Sequence, residues 1–150
     1  NRLYGKWQVR ARFDAGSGYA QAIGLWPQSD KETDGSMNVA TTPEADKRTL
    51  HQSVAWFNGG SRLSDERKQD GDFTGWHTYT LEWRVGFVQM WVDDKLTFDS
   101  TTNANAVVIP HQPMHVYIQQ LAGPLSWVPA PNAATPDRVV AHVDWVRIYR

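Results

Sequence analysis

Residues 4–27 read YGKWQVRARFDAGSGYAQAIGLWP. Two runs in it, KWQVRARF (6–13) and AQAIGLW (20–26), have the alternating, aromatic-rich character of β-strands. Between them lies DAGSG (14–18), a cluster of turn residues. The stretch therefore predicts two strands joined by a tight connection.

The same grammar extends to both sides. SMNVAT (36–41), HQSVAWF (51–57), WHTYTLEW (76–83), FVQMWV (87–92), MHVYIQQL (114–121) and VVAHVDWVRIY (139–149) read as further strands. NGG (58–60), DGD (70–72), VG (85–86) and DDK (93–95) punctuate them. No segment of 12 or more residues has helical periodicity, and PEADKRTL (43–50) could hold a single turn. DERKQDGD (65–72) mixes both charge signs and reads as a solvated loop. GPLSWVPAPNAATP (123–136) reads as one long loop of the kind that binds ligands. Many short alternating strands imply a single all-β domain over residues 1–150, a sandwich or jelly roll.

Composition narrows the functions. The 150 residues can bury one sizeable core. With 15 basic and 16 acidic residues the net charge is −1, which gives no support for a nucleic-acid or anionic-membrane partner. Cysteine is absent, so disulfides and thiolate chemistry are excluded while the redox compartment stays open. No run approaches the ~20 apolar residues of a membrane helix. No signal peptide is present, though a processed or excised chain would have lost one. Eight Trp, five Tyr and five Phe exceed what packing alone needs and raise the expectation of an aromatic-lined sugar groove.

Four segments resemble one family. YGKWQVRARFDAGSGYAQAIGLWP (4–27), FTGWHTYTLEWRVGFVQMWVDDKL (73–96), PMHVYIQQLAGP (113–124) and HVDWVRIYR (142–150) resemble, in order, motifs of glycoside hydrolase family sixteen, the laminarinase- and lichenase-like β-glucanases. The resemblance implies a concanavalin-like β-jelly roll of two curved antiparallel sheets, with the glycan on the concave face. It also implies that family domains carry strands ahead of the YG segment. The chain is therefore expected to belong to a longer polypeptide and to leave a sheet edge covered by another domain or subunit.

The family's catalytic segment reads roughly D-G-E-I-D-I-x-E, and here DGSMNVAT (34–41) stands at its place. The resemblance puts Ser36 at the nucleophile, Asn38 at the central aspartate and Thr41 at the acid/base position. The family's later histidine falls on Ala55. Retaining hydrolysis needs two carboxyl groups about 5–5.5 Å apart. Ser36 has no base beside it, Asn38 carries no charge, and Thr41 has no useful acidity. On a regular strand Ser36 and Asn38 share a face and Thr41 does not, so the three line one groove only if the strand bulges between 39 and 41. Glu32, Asp34, Glu44 and Asp46 flank this strand in loops, and Glu82 reads as structural. His51, His77, His111, His115 and His142 show no metal-ligand spacing, with His77 and His115 read as strand residues. A calcium site occurs in parts of the family, but the absence here of the family's N-terminal strands removes likely ligands. No cofactor is expected.

Trp7, Trp83, Trp91, Trp145 and Tyr149 alternate with polar neighbours and are expected in the core. Trp26, Trp56 and Trp127 are the candidates for stacking on a pyranose ring, and one of Gln119 and Gln120 should face the groove. Three functions follow. The first is a non-catalytic relative of the endo-β-glucanases that binds a β-glucan or cell-wall polysaccharide through Trp26, Ser36, Asn38, Thr41, Trp56, Gln119 and Trp127. The second is a weak or atypical endo-β-glucanase. The third is a structural or adhesion module of a virion or cell-surface appendage. All three place the protein outside the cell or on a particle surface.

Overall fold

Alternation in the first run becomes β1 (Gly5–Phe13), with Trp7, Val9, Ala11 and Phe13 buried and Lys6, Gln8, Arg10 and Arg12 on the other face. A computed structural model of the chain describes residues 1–103 and 107–150. After β1 come β2 (Tyr19–Pro27), β3 (Ser36–Thr42), β4 (Thr49–Asn58), β5 (Ser61–Asp70), β6 (His77–Arg84), β7 (Phe87–Val92), β8 (Lys95–Asp99), β9 (Met114–Ala122) and β10 (Ala141–Tyr149). They form two five-stranded antiparallel sheets, sheet A in the order β5-β4-β3-β2-β9 and sheet B in the order β10-β1-β6-β7-β8. Helix among the described residues is confined to two 3-10 turns, Glu32–Asp34 and Ser100–Thr102.

The sheets bury a common core. Tyr79, Leu81, Trp83, Val88 and Met90 of sheet B join Ile23, Leu25, Met37, Val39 and Val54 of sheet A. Trp83 is central: Trp7 stacks on it at 6.1 Å and Tyr4 meets it edge-on at 4.8 Å. Aromatic pairs of this geometry add roughly 0.5–1.5 kcal/mol beyond the area they bury.

Two expectations change. The charged segment 65–72 is not a loop up to Asp70, because β5 runs through it, paired with β4 across the Gly59–Gly60 turn. Only Asp65 on β5 is buried, so a strand polar on both faces carries no apolar period to read. Charges suit such an edge strand because they discourage pairing with foreign chains. PEADKRTL holds the single turn expected of it, ahead of β4. Trp91, Trp145 and Tyr149 are not core residues. Their cross-strand partners are Thr80, Arg10 and Lys6, which places them on the outer face of sheet B. Trp7 and Trp83 are buried as expected.

The turn between β3 and β4 holds a buried cation. Lys47 has φ 54° and a fully buried side chain, and its Nζ donates to the carbonyls of Tyr19 (2.8 Å) and Thr42 (3.0 Å). Burial pushes its ammonium down from 10.5 to about 8, against the opposing pull of Glu44 and Asp46.

The two sides of the sandwich differ. On one, β5 and β8 meet, with Gln69 Nε2 donating to Thr97 O at 3.1 Å. On the other, β9 and β10 each end their sheet. The register puts Ile118 opposite Ile23, and Val143, Val146 and Ile148 opposite Ala11, Val9 and Trp7, all on the core face. Yet Val143, Val146 and Ile148 are 42%, 40% and 50% exposed. An Arg2–Met114 bridge covers only the first residue of β9.

Candidate functional site

The outer face of sheet A is lined by short side chains at its centre and long ones at its rim. Gly24 is the reason the centre can be so flat. A Cβ there would lie 2.2 Å from Met37 O and 2.8 Å from the Tyr117 ring, so only glycine fits. The result is a cleft of about 1080 Å³ bounded by Trp26 on β2, Ser36, Asn38 and Thr41 on β3, His51 and Ser53 on β4, Glu66 on β5, His115, Tyr117 and Gln119 on β9, and Trp127 from the long loop.

A bulge in β3 brings the three floor positions together. Asn38 pairs with Ser53 and Thr41 with His51, so two residues, Val39 and Ala40, stand opposite Gln52. Both Val39 and Ala40 are buried, and Thr41 returns to the cleft side. Gln52 holds the bulge from inside by donating its Nε2 to Val39 O at 3.0 Å.

Asn38 is fixed from both sides. Its Oδ1 accepts from the Tyr117 hydroxyl and its Nδ2 donates to Ser53 Oγ at 3.0 Å. Burial pushes the Tyr117 phenol well above its usual range, so it stays a donor at every physiological pH. This floor is neutral and already hydrogen-bonded, with no ionised group among Ser36, Asn38, Ser53 and Tyr117.

Charge lies at the rim. His51 sits between two carboxylates, with Nε2 2.7 Å from Glu44 Oε1 and Nδ1 3.0 Å from Glu66 Oε1. Glu32 pairs with Arg62 at 2.9 Å. Asp34 accepts from Ser29 Oγ and Asp46 from the Arg48 amide, so both serve local turns. Glu82 pairs with Arg84 on sheet B, away from the cleft. Among the described residues no group of three His, Cys, Asp or Glu side chains is placed to hold a metal.

Of the residues expected at a groove, Trp26, Ser36, Asn38, Thr41, Gln119 and Trp127 line the cleft. Trp56 does not. It is 9% exposed and lies on the face of β4 opposite Ser53 and Ala55, because it is an odd number of residues from both. Gln120 also faces away and donates to Val139 O at 2.7 Å. Reading from sequence alone missed His51, Ser53, Glu66, His115 and Tyr117. Tyr117 and His115 lie two and four residues from Gln119, so alternation along one strand would have found them. Glu66 was hidden by the unread strand β5.

The sequence profile described as Glycosyl hydrolases family 16 matches residues 1–147. A keratan-sulfate endo-1,4-beta-galactosidase of Sphingobacterium multivorum is 30% identical over 161 aligned residues, covering 98% of this chain and 37% of that protein. A beta-glucanase of Rhodothermus marinus is 26% identical over 98% of this chain and 57% of its own length. The chain thus spans well under two thirds of either relative. Among solved structures, the catalytic domain of an endo-1,3-beta-glucanase (laminarinase) from Thermotoga petrophila superposes with a TM-score of 0.82 at 20% identity, over 99% of this chain and 64% of that one, a likeness of fold.

Proposed function

The chain belongs to the glycosyl hydrolases family 16, and from that premise we propose that it binds a β-linked polysaccharide in the cleft of sheet A without cleaving it. One observation carries this reading. The β3 bulge brings Ser36, Asn38 and Thr41, the positions that the sequence resemblance aligns with the family's acids, onto one floor. Neither a nucleophile nor an acid/base is available there, and Asn38 has its oxygen and its amide nitrogen already engaged by Tyr117 and Ser53. Hydrogen-bonding capacity at the floor and the indoles of Trp26 and Trp127 suit sugar hydroxyls and pyranose faces.

Relatives named as a beta-glucanase and as a keratan-sulfate endo-1,4-beta-galactosidase define the ligand class to test. A shallow cleft with two stacking residues supports high-micromolar to millimolar affinity, about −4 to −6 kcal/mol. We place the protein outside the cell or on a particle surface, as one domain of a longer polypeptide in which other segments cover β9 and β10.

A second reading has a specific observation behind it. Glu32 and Glu66 line the cleft, and Glu66 shares His51 with Glu44, so carboxylates are present, though not on β3. That arrangement would make the protein a weak endo-β-glucanase. Titration of β-1,3-, β-1,4- and mixed-linked oligosaccharides, followed by indole fluorescence, tests binding, and a reducing-end assay on the same polymers tests cleavage. Saturable binding with no new reducing ends supports the proposal. Cleavage that disappears in Glu66→Gln supports the enzyme. No binding at about ten times the weakest affinity expected leaves the structural-module reading.

A further inference from the structure

The outer face of sheet B, opposite the cleft, carries the aromatic residues that the core does not take. β1 turns Lys6, Gln8, Arg10 and Arg12 outward, and β10 sets Tyr149, Arg147, Trp145 and His142 beside them in register. Trp76, 41% exposed, lies across this pair of strands with the guanidinium carbons of Arg10 and Arg12 at 5.1 and 5.6 Å from its ring. Arg147 stands 4.3 Å from the ring of Trp145. Cations and aromatic rings therefore interleave along a strip that follows β10 from His142 to Tyr149, about 23 Å at ~3.3 Å per residue.

Its charge is not fully answered. Asp144 takes Arg10 at 2.7 Å and Asp14 lies 3.5 Å from Arg12. Lys6 stands opposite Glu82 of β6, but that carboxylate pairs with Arg84, and among the described residues no carboxylate lies within ion-pair distance of Lys6 or Arg147. In a chain of net charge −1, this strip holds a local surplus of positive charge.

We propose that the strip along β1 and β10 is a second carbohydrate-binding surface, for a linear anionic polysaccharide bearing sulfate or carboxylate groups. The Arg147 guanidinium, stacked on the Trp145 indole, keeps its in-plane N–H donors available for an oxyanion, while the ring offers a flat platform to a sugar. Two surplus cations suffice for a few anionic groups on a sugar chain. They are too few for nucleic acid, where affinity comes from many neutralised phosphates. A bilayer would need apolar side chains projecting from this face, and the exposed valines and isoleucine of β10 lie on its other side.

Titration calorimetry of the whole chain with dextran sulfate and with unsulfated dextran of the same length, over a series of salt concentrations, tests this. The sulfated polymer is expected to bind and the neutral one not to, with log affinity falling against log salt at a slope of about −2, as two released counterions require. The double variant Lys6→Gln/Arg147→Gln, two surface changes that preserve side-chain length, should lose roughly tenfold in affinity and most of the salt slope. It should leave neutral-oligosaccharide binding in the cleft unchanged, which separates this surface from the first. Trp145→Ala should weaken the sulfated polymer several-fold with the slope intact. Absence of dextran sulfate binding at low salt, indifference to the double variant, equal binding of plain dextran, or equal binding of duplex DNA or phosphatidylserine vesicles would each overturn the proposal.

Discussion

Tyr117 reaches Asn38 across the bare backbone of Gly24. The three residues stand in one row on β9, β3 and β2, and the hydroxyl of the first donates to the side-chain oxygen of the second over a position where no Cβ fits.

That relationship predicts a graded pair of variants. Gly24→Ala should destabilise the fold by about 1–3 kcal/mol through overpacking, since the clash includes the backbone oxygen of Met37, which has little freedom to move. Tyr117→Phe should cost less, about 1–2 kcal/mol, by leaving Asn38 Oδ1 unpaired. Urea midpoints with unchanged slopes measure both. Equal stability of Gly24→Ala and the parent would show that the floor is not tightly closed there.

Floor geometry also predicts what placing carboxylates on β3 would do. Asn38→Asp alone should stay inert, because one carboxylate supplies neither nucleophile nor acid. The triple variant Ser36→Glu/Asn38→Asp/Thr41→Glu should release reducing ends from laminarin or lichenan, since the bulge already aims all three positions into the cleft. A well-folded triple variant as silent as the parent would count against the cleft as a former hydrolytic site.

The tryptophans should separate by face. Trp127→Ala and Trp26→Ala should weaken oligosaccharide binding by about 1–2 kcal/mol with little loss of stability. Trp56→Ala should do the reverse, lowering the melting temperature while sparing affinity, because its ring is buried on the far side of β4. Fluorescence titration and thermal melts on the same three proteins decide this.

Lys47 predicts an alkaline stability maximum. Its folded pKa of about 8 lies below the unfolded 10.5, so between these values the unfolded chain binds more protons and stability rises with pH. The full gain is up to about 3 kcal/mol by that difference. Tyr79 and Tyr117 act oppositely. Burial raises both above 10, so above that pH the unfolded state sheds their protons first and stability falls. Denaturation midpoints should therefore climb from pH 8 to about 10 and then drop, and Lys47→Met should flatten the climb.

Much of this was legible in the sequence, for identifiable reasons. β1, β6 and β9 announce themselves because apolar residues recur with a period of two on the face turned to the core, and β2 because its short, largely apolar run is buried on both faces. β5 was illegible because its buried position is a lone Asp65 among charges. Trp91, Trp145 and Tyr149 were misassigned because alternation tells which residues share a face and not which face meets the core. The bulge at Val39–Ala40 could be stated as a condition, but only the pairing of Asn38 with Ser53 and of Thr41 with His51 establishes it.

The rows of valine and isoleucine along β9 and β10 also bear on how the molecule must be made. Each of these strands is a half-written ladder, and the first extended segment to align with it completes the sentence. A neighbouring stretch of the same polypeptide, held close at high effective concentration, would win that race. A second molecule wins it only when crowded. Yield, storage concentration and choice of fusion partner are therefore questions about which strand arrives first.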